Sequence, residues 1–481
     1  MVIGRDLAAI RWAAYRQKEA GNGQAEEGGA MVAVVVPEEF VTAFNGSLVG
    51  PDDATYDEVR AVHNGLIDRR PGLIARCHNV ADVRDAVAFG RDAGLEISVR
   101  GGGHNVAGRA LTDGGLMIDL SLMRGVDVDP SRRRARAQGG VTWNEYNRAT
   151  HVYRQATTGG VISTTGVAGL TLGGGLGWLM GKYGMSIDNL TAVELVTADG
   201  AVRIVDQEHE PDLFWALRGG GGNFGVAASL EFVTHTLDTI LGGLIAHPLA
   251  AAGDVIGMYR QFAMEMSDDA SVFCALTHAP DGSGMKLCAL PVCHAGAIAE
   301  AEAELRPLRE FGPPAMDLVA PMPYPAINTM LDAGFPRGAL NYWRSAFFAD
   351  LSDAAVQALL DAYEAVPSPM TNILIEHFHG AACRVEPTAT AFPHREPGFN
   401  LVLTGQWVDS ADTDVNMQWV RDTIAALEPY TAPRTYMNYA ADDEADRIAA
   451  FYGPNLDRLR DIKRRYDPDN VFRVNQNIPP A

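Results

Sequence analysis

A glycine-rich stretch between residues 157 and 184 constrains the fold of this chain most strongly. Ten of its 28 residues are glycine. A glycine inside a regular element costs roughly 0.5–1 kcal/mol of backbone entropy, so this density is expected only where the backbone must approach something closely. A loop between two packed layers would meet that need, but a large planar or phosphorylated ligand explains the density better.

A second glycine loop, residues 100–108, follows an apolar segment, residues 96–99, that is typical of a strand. Three consecutive glycines let the backbone turn and present bare N–H groups to an anion. The next residue, His104, carries a ring nitrogen that can act as a nucleophile. The pattern favours a cofactor held at its pyrophosphate and tethered by the ring; a tight turn with a surface histidine is the alternative.

A third glycine cluster matches the dinucleotide fingerprint, with glycines at 220, 222 and 225. That fingerprint needs a strand before it and a helix after it. Here a predicted helix, residues 212–217, precedes the cluster, and an alternating strand, residues 226–236, follows. The sequence therefore argues against nicotinamide-dinucleotide binding at this place.

Composition limits the classes of partner. A net charge of −21 argues against nucleic acid and anionic membrane surfaces. No apolar run approaches 18 residues, and the first 30 residues lack the apolar core of a secretion signal, so we expect a cytoplasmic protein. The five cysteines form no CxxC pair, which argues against a zinc site. His377 and His379 could bind a metal but lack a third ligand, so no metal is predicted.

The length of 481 residues predicts two domains. Glycine loops become sparse after residue 236, and long predicted helices then alternate with strands. This alternation of long helices and strands is typical of a sheet covered by helices on one face. The tail is expected to return to the first domain. The predicted division is a flexible extension at 1–35, a first domain at 36–236, a second domain at 237–433, and a C-terminal segment at 434–481 that completes the first domain.

Several motifs together resemble the berberine-bridge-enzyme-like flavoproteins, which have the vanillyl-alcohol-oxidase type of FAD-binding fold. The resemblance covers nearly everything from residue 68 to residue 480. Its specific points are the RGGGH loop at 100–104, DGGLMIDLS at 113–121, TGVAGLTLGGGLGW at 165–178, YGxxxDN at 183–189, GGNFG at 221–225, YxNY at 436–439 and YDPxNxF at 466–472.

The resemblance implies an α+β fold, with a two-part FAD-binding domain and a substrate domain whose antiparallel sheet is covered by helices. It implies FAD as the cofactor. The residues that it assigns to cofactor binding are His104, Arg100, Gly101, Gly102, Gly103, Asn105, Gly108, Thr164, Thr165, Gly166, Gly169, Leu170, Gly173, Gly174, Gly175, Gly177, Tyr183, Asp188, Asn189, Gly225, Val226 and Asn475.

In such proteins the histidine at the place of His104 is bonded to the 8α-methyl carbon of the flavin. Many relatives add a second tether, a cysteine that aligns here with Ile162. No cysteine lies between Cys77 and Cys274, so the resemblance implies an FAD attached once, through His104. Attachment at that carbon raises the flavin's redox potential.

The resemblance assigns the catalytic role to Tyr439, with Tyr436 as its partner. A tyrosine acts as a base at neutral pH only if nearby donors or positive charge stabilise its phenolate. Sugar-oxidising relatives carry a helper tyrosine where this chain has Val106, which disfavours a carbohydrate substrate. Relatives of the plant alkaloid type use a glutamate of the substrate domain instead, and Glu376 is the candidate here.

The function implied is an FAD-dependent oxidoreductase, and specifically an oxidase. A small organic substrate with an alcohol, amine or activated C–H bond gives a hydride to flavin N5, and O₂ is reduced to H₂O₂. One alternative is a flavin dehydrogenase on the same scaffold with another electron acceptor. A second is a flavin-binding protein that turns over no substrate, for which Tyr439→Phe would change nothing.

Overall fold

The computed structural model describes residues 11–15 and 31–481. Within the extension predicted as flexible, Arg11–Tyr15 pairs antiparallel with Met31–Val35; the rest of residues 1–30 lies outside the described part. The α-helices are Glu38–Ala43, Tyr56–Arg60, Val80–Asp92, Trp143–His151, Val167–Leu172, Met180–Tyr183, Pro211–Leu217, Ala252–Glu265, Ile298–Glu310, Tyr324–Ile327, Asp353–Glu364, Thr413–Leu427, Ile448–Tyr452 and Leu456–Tyr466.

A four-stranded sheet carries the first glycine loop. Its strands, in spatial order, are Ser47–Val49, Leu73–Arg76, Leu116–Asp119 and Ile97–Arg100. The last three run parallel, and the connection between Leu73–Arg76 and Ile97–Arg100 is the helix Val80–Asp92. Asn79 caps that helix by accepting from two backbone N–H groups. The strand Ile97–Arg100 therefore delivers the loop at the carboxyl edge of a parallel sheet.

A five-stranded antiparallel sheet forms the second part of the N-terminal region. Its strands, in order, are Val202–Asp206, Leu190–Val196, Val226–Val233, Arg134–Gln138 and Val126–Asp129. The C-terminal helix Leu456–Tyr466 packs into the same core through Leu459 and Ile462. Gln155–Ala156 and His235–Thr236 form a separate two-residue pair.

The largest sheet has eight antiparallel strands, and its helices cover one face. In order the strands are Met316–Asp317, Thr239–Pro248, Lys286–His294, Ala270–His278, Asn372–Phe378, Gly398–Trp407 and Leu340–Phe348, with Ala320–Pro323 also paired to Thr239–Pro248. Ile375, Leu401 and Leu403 point into the helix-covered core, whereas Leu374 and Val402 belong to the core on the other face. The second core includes Trp178, so the sheet packs against the glycine-rich segment.

The α+β architecture predicted from the sequence is confirmed, but several elements differ. The sequence of residues 52–69 predicts a helix over the whole segment, and this prediction is wrong because only Tyr56–Arg60 is helical. The strand Leu340–Phe348 and the helix Thr413–Leu427 were not predicted. In the part of the chain that the structure describes, no helix is long and apolar enough to cross a membrane.

Candidate active site

A cavity of about 260 Å³ lies between the glycine loops and the uncovered face of the large sheet. One wall is backbone from the loops at 101–105, 160–173 and 221–227. The opposite wall consists of side chains from the sheet, including Trp343, Leu374, Val402 and Thr404. Residues 437–439 and 472–476 close the cavity. A long cleft with one bare-backbone wall suits a flat, extended ligand.

Close contact between the two main glycine loops explains their composition. A Cβ atom on Gly102 would lie 2.4 Å from the backbone nitrogen of Gly166, and a Cβ on Gly166 would lie 2.5 Å from that of Gly102. Gly103 has φ +70°, which a residue with a side chain rarely adopts. The loops can meet only as glycine, so their contact fixes the position of His104.

His104 lies at the cavity wall with one ring nitrogen occupied. Its Nε2 is 2.8 Å from the Thr164 hydroxyl, and Nδ1 has no hydrogen bond to any described residue. Its ring stacks on that of His63, with centroids 3.9 Å apart. Burial, the neighbouring His63 and Arg337 lower the pKa of His104 to about 3. The ring is therefore neutral at physiological pH, and a nitrogen lone pair is available.

Most of the predicted cofactor-binding residues come together around this cavity. Those that line it are Gly101, Gly102, Gly103, His104, Asn105, Thr165, Gly166, Gly169, Leu170, Gly173, Gly225, Val226 and Asn475. They come from four separate segments of the chain. The tail residue Asn475 lies at the cavity, where its side-chain amide donates to the backbone carbonyl of Gly222 at 3.2 Å.

The other predicted cofactor-binding residues do not line the cavity, and most of them hold its wall in place. Arg100 forms a buried ion pair with Asp119 at 2.8 Å. Asp188 pairs with Arg395 at 2.8 Å. Thr164 contacts His104 as described. The remaining members are Gly108, Gly174, Gly175, Gly177, Tyr183 and Asn189, which act through backbone conformation or packing. The motif residues thus include some that support the cavity wall as well as some that line the cavity.

The two predicted catalytic tyrosines lie together but differ in exposure to the cavity. Their rings meet edge to face, with centroids 4.9 Å apart. Tyr439 lines the cavity, whereas the Tyr436 hydroxyl is buried and accepts from the backbone N–H of Gly175 at 2.8 Å. Tyr436 therefore supports the glycine loop, and of the two only Tyr439 lines the cavity.

Glu376 forms a buried pair with Tyr439. The Tyr439 hydroxyl donates to Glu376 Oε1 at 3.1 Å, and the Asn400 amide donates to Oε2 at 2.6 Å. Glu376 is 1% exposed, and this burial raises its pKa to about 7 although both hydrogen bonds lower it. Burial and the nearby Glu376 raise the pKa of Tyr439 well above its usual range.

Other predicted residues lie away from the cavity. His377 and His379 stack on each other with centroids 4.8 Å apart, and His379 contacts backbone carbonyl groups. Among the described residues, no group of three or more metal-ligating side chains occurs. Val106 is also buried away from the cavity, whereas Ile162 lines it.

Sequence reasoning missed several residues of the site. His63, Phe335, Trp343 and Asn400 carry no motif, and the strand that supplies Trp343 was not predicted. Phe335, Trp343 and Tyr439 form an aromatic chain, with successive centroids 5.8 and 6.1 Å apart. Residues 340–348 show no strict apolar–polar alternation, so the sequence carried no local signal for this wall.

The residues present fit FAD. The cavity has a wall of bare backbone, and Cβ atoms on Gly169 would project into open space. The Oδ1 atom of Asn475 is buried at the cavity without a hydrogen-bond partner among the described residues. An extended ligand such as FAD accounts for both features. It fills the open space beside the backbone, and its ring and phosphate groups offer hydrogen-bonding partners.

Comparison with known proteins identifies the fold and cofactor. The family profile described as an FAD binding domain matches residues 71–206, and the berberine and berberine-like profile matches residues 435–479. The chain is 32% identical over 458 residues to (R)-6-hydroxynicotine oxidase of Paenarthrobacter nicotinovorans, covering 91% of this chain and 97% of that protein. The chain belongs to the berberine-bridge-enzyme-like family of FAD-linked oxidoreductases.

Solved structures of this family agree with that assignment. The crystal structure of 6-hydroxy-D-nicotine oxidase from Arthrobacter nicotinovorans superposes with a TM-score of 0.84 at 30% identity, over 91% of this chain and 98% of that chain. A berberine-bridge-enzyme-like protein of Physcomitrella patens gives a TM-score of 0.82 at 21% identity, covering 92% and 98% of the chains, and shares the fold. The protein is an FAD-dependent enzyme of the oxidase type that acts on a small organic substrate.

Proposed function

We propose that this enzyme carries FAD bonded to His104 and oxidises an apolar, aromatic alcohol or amine, with Glu376 and Tyr439 as the proton acceptor. The observation that carries the proposal is the hydrogen bond between Tyr439, at the cavity wall, and the buried Glu376. A titratable pair at the wall of the main cavity, with both pKa values shifted, is the expected form of an acid–base site.

The pKa of Glu376 suits a base. A general base works best when its pKa lies near the working pH. Burial raises the pKa of Glu376 to about 7, so the carboxylate is both populated and basic at neutral pH. Asn400 holds one carboxylate oxygen and leaves the other facing Tyr439.

Tyr439 acts as a relay and not as a free phenolate. The charge beside it is the negative Glu376, which raises the pKa of Tyr439 further. Its hydroxyl can accept a proton from a substrate O–H or N–H while it passes its own proton to Glu376 Oε1. The proton then rests on a carboxyl group that burial already favours in the neutral form.

FAD, when bound, accepts the hydride from the substrate carbon. Residues 101–105, 165–173, 225–226 and 475 would hold the cofactor. The neutral ring of His104 presents a free nitrogen to it, and the cysteines, all in the described part of the chain, do not line the cavity. These features support a single attachment, through His104.

Apolar side chains support the choice of substrate class. On the side of Tyr439 and the large sheet, the cavity is lined by the apolar Phe335, Trp343, Leu374 and Val402, with Thr404 and Asn438 as polar members. A carbohydrate placed here would leave most of its hydroxyl groups without partners, at about 1–3 kcal/mol each. A flat aromatic ring bearing one oxidisable alcohol or amine needs only one polar contact. The hydroxynicotine oxidase named above is consistent with this choice.

Molecular oxygen is the proposed electron acceptor, and H₂O₂ is the proposed product. A panel of aromatic alcohols and amines screened without air for bleaching of the yellow flavin will find a substrate, which then supplies the reduced enzyme. Air-saturated buffer should reoxidise the reduced enzyme within seconds. Reoxidation over many minutes would establish the dehydrogenase alternative.

Acid precipitation tests the attachment to His104. The yellow colour of the wild-type protein should stay in the acid pellet, and His104→Ala should release it to the supernatant. Colour released from the wild-type protein would refute a covalent bond while leaving FAD binding intact. As the matched control for cofactor binding, free FAD added to the His104→Ala protein should bind and turn the protein yellow again.

Two further sequence-based assignments remain predictions. We propose that residues 36–236 and 434–481 form the FAD-binding unit and residues 237–433 the substrate domain, supported by the packing of Leu459 and Ile462 into the core of the five-stranded sheet. The cytoplasm remains the predicted location.

A further inference from the structure

His63 is a buried histidine beside the flavin-attachment residue, and the reaction above makes no use of it. Its ring stacks on His104 with centroids 3.9 Å apart and planes inclined by 21°. It lines the same cavity and is 8% exposed. Its Nε2 is buried and has no hydrogen-bond partner within the described residues. This ring nitrogen is therefore open to a ligand or a proton at the cavity.

The backbone around His63 fixes the position of the ring. The His63 N–H donates to the carbonyl of Gly103 at 3.0 Å, and its own carbonyl accepts from the N–H of Gly338 at 2.9 Å. The neighbouring Asn64 side chain donates to the carbonyls of Val106 and Asn341 at 2.8 and 2.9 Å. His63 is therefore tied directly to the loop that carries His104.

His63 is uncharged at neutral pH. Burial, together with the nearby Arg337, lowers the pKa of His63 to about 4. The titratable and charged groups that face it are His104 and Arg337. At neutral pH the imidazole is uncharged, so one of its two nitrogens carries a free lone pair.

Attachment of the flavin needs such a group. As the bond forms between His104 Nδ1 and the flavin 8-methyl carbon, a C–H bond of that methyl group breaks. Its proton must leave, and its electron pair reduces the flavin by two electrons. The proton from His104 and the methyl proton then accompany those electrons when O₂ reoxidises the flavin to give H₂O₂. The reaction thus consumes only FAD, the imidazole and O₂.

We propose that His63 is the base that accepts the methyl proton and so allows the protein to attach its own flavin. This inference rests on the proposed covalent bond to His104. His63 is the neutral, fixed and unpartnered acceptor that lies in contact with the attacking ring.

The time course of attachment tests the role of His63. Full-length protein is produced in riboflavin-limited cells and then supplied with FAD in air; samples are quenched in acid, and the yellow colour in the pellet is measured against time. His63→Phe and His63→Gln should bind FAD but attach it at least tenfold more slowly than wild type. Attachment at the wild-type rate in both variants would overturn the proposal.

Chemical rescue separates a base from a packing residue. His63→Ala should also be slow, and added imidazole should accelerate its attachment in proportion to imidazole concentration, because the lost ring leaves room for it. A slow His63→Ala that imidazole does not accelerate would show a packing role and overturn the proposal. A wild-type protein whose colour never enters the pellet would refute the bond to His104 itself, a different result from a fast His63 variant.

Discussion

The two faces of the eight-stranded sheet carry different kinds of side chain, although the same strands supply both. On the strands Asn372–Phe378 and Gly398–Trp407, Ile375, Leu401 and Leu403 face the helices and are almost fully buried among aliphatic side chains. The alternate residues lie on the cavity side of the sheet, where Leu374, Val402 and Thr404 line the cavity. There Glu376 and Asn400 are direct partners in the register, as buried as the leucines but polar.

This difference separates residues that stabilise the fold from residues of the proposed acid–base site. Burial of aliphatic side chains on the helix face stabilises the fold at about 25 cal/mol per Å². Burial of a carboxyl group on the cavity face costs free energy whenever the group is ionised. Substitutions on the two faces should therefore separate catalysis from stability.

The largest effect is expected from Glu376→Gln. Glutamine keeps the shape and can still bond to Asn400 and Tyr439, but it cannot accept a proton. The rate of flavin reduction by the substrate should fall by about 10²–10⁴-fold, the usual contribution of a general base. Anaerobic stopped-flow absorbance measures it. A loss of less than about threefold would place the base elsewhere.

On the helix face, Leu401→Ala should cost stability and not rate. Leu401 is 0% exposed within the aliphatic core, and truncations of this kind cost about 2–5 kcal/mol. Urea unfolding at constant pH measures the change. An equally large fall in the rate of flavin reduction, with stability unchanged, would contradict the separation of the two faces.

The same Glu376→Gln protein should be more stable than wild type above pH 7. The pKa of Glu376 rises to about 7 on folding, so the folded protein binds this proton more tightly than the unfolded chain. The free energy of unfolding of the wild-type protein therefore falls by about 3 kcal/mol as pH rises from the unfolded-state pKa of Glu376 to its folded-state pKa. The two proteins should converge below about pH 4.5, as unfolding across pH will reveal; a gap that widens in acid would contradict the sign.

The smallest effect is expected from Tyr439→Phe, about tenfold in the rate of flavin reduction, because water can replace a relay hydroxyl. The Tyr439 hydrogen bond lowers the pKa of Glu376, so its loss should move the pH midpoint of that rate upward. Rates measured from pH 5 to 9 test this. A midpoint that moves downward would show that Tyr439 does not donate to Glu376.

The cofactor side of this molecule was more predictable than the substrate side. Glycines at 102, 103 and 166 are required by backbone contact and by φ, and such constraints appear directly in the sequence. The face of Glu376 and its pairing with Asn400 depend on strand register between distant segments. A strand that sequence periodicity did not reveal supplies Trp343, so the aromatic wall had no local signal.

The two tyrosines were predicted to act together, but the structure gives them different surroundings. Spacing alone did not establish that Tyr436 and Tyr439 share a face. The turn at Met437–Tyr439 directs Tyr436 into the glycine loop and Tyr439 to the cavity. Asp442, three residues beyond, anchors this turn through Arg69 and Arg109 at 2.7 and 2.8 Å.

The pH dependence of anaerobic flavin reduction tests the central claim most directly, in the wild-type protein and in Glu376→Gln. The wild-type rate should rise with pH through a midpoint near 7, because Glu376 must lose its proton to act as a base. The residual rate of Glu376→Gln should lack that midpoint. A midpoint retained in Glu376→Gln, or a wild-type rate that does not change from pH 5 to 9, would contradict the account.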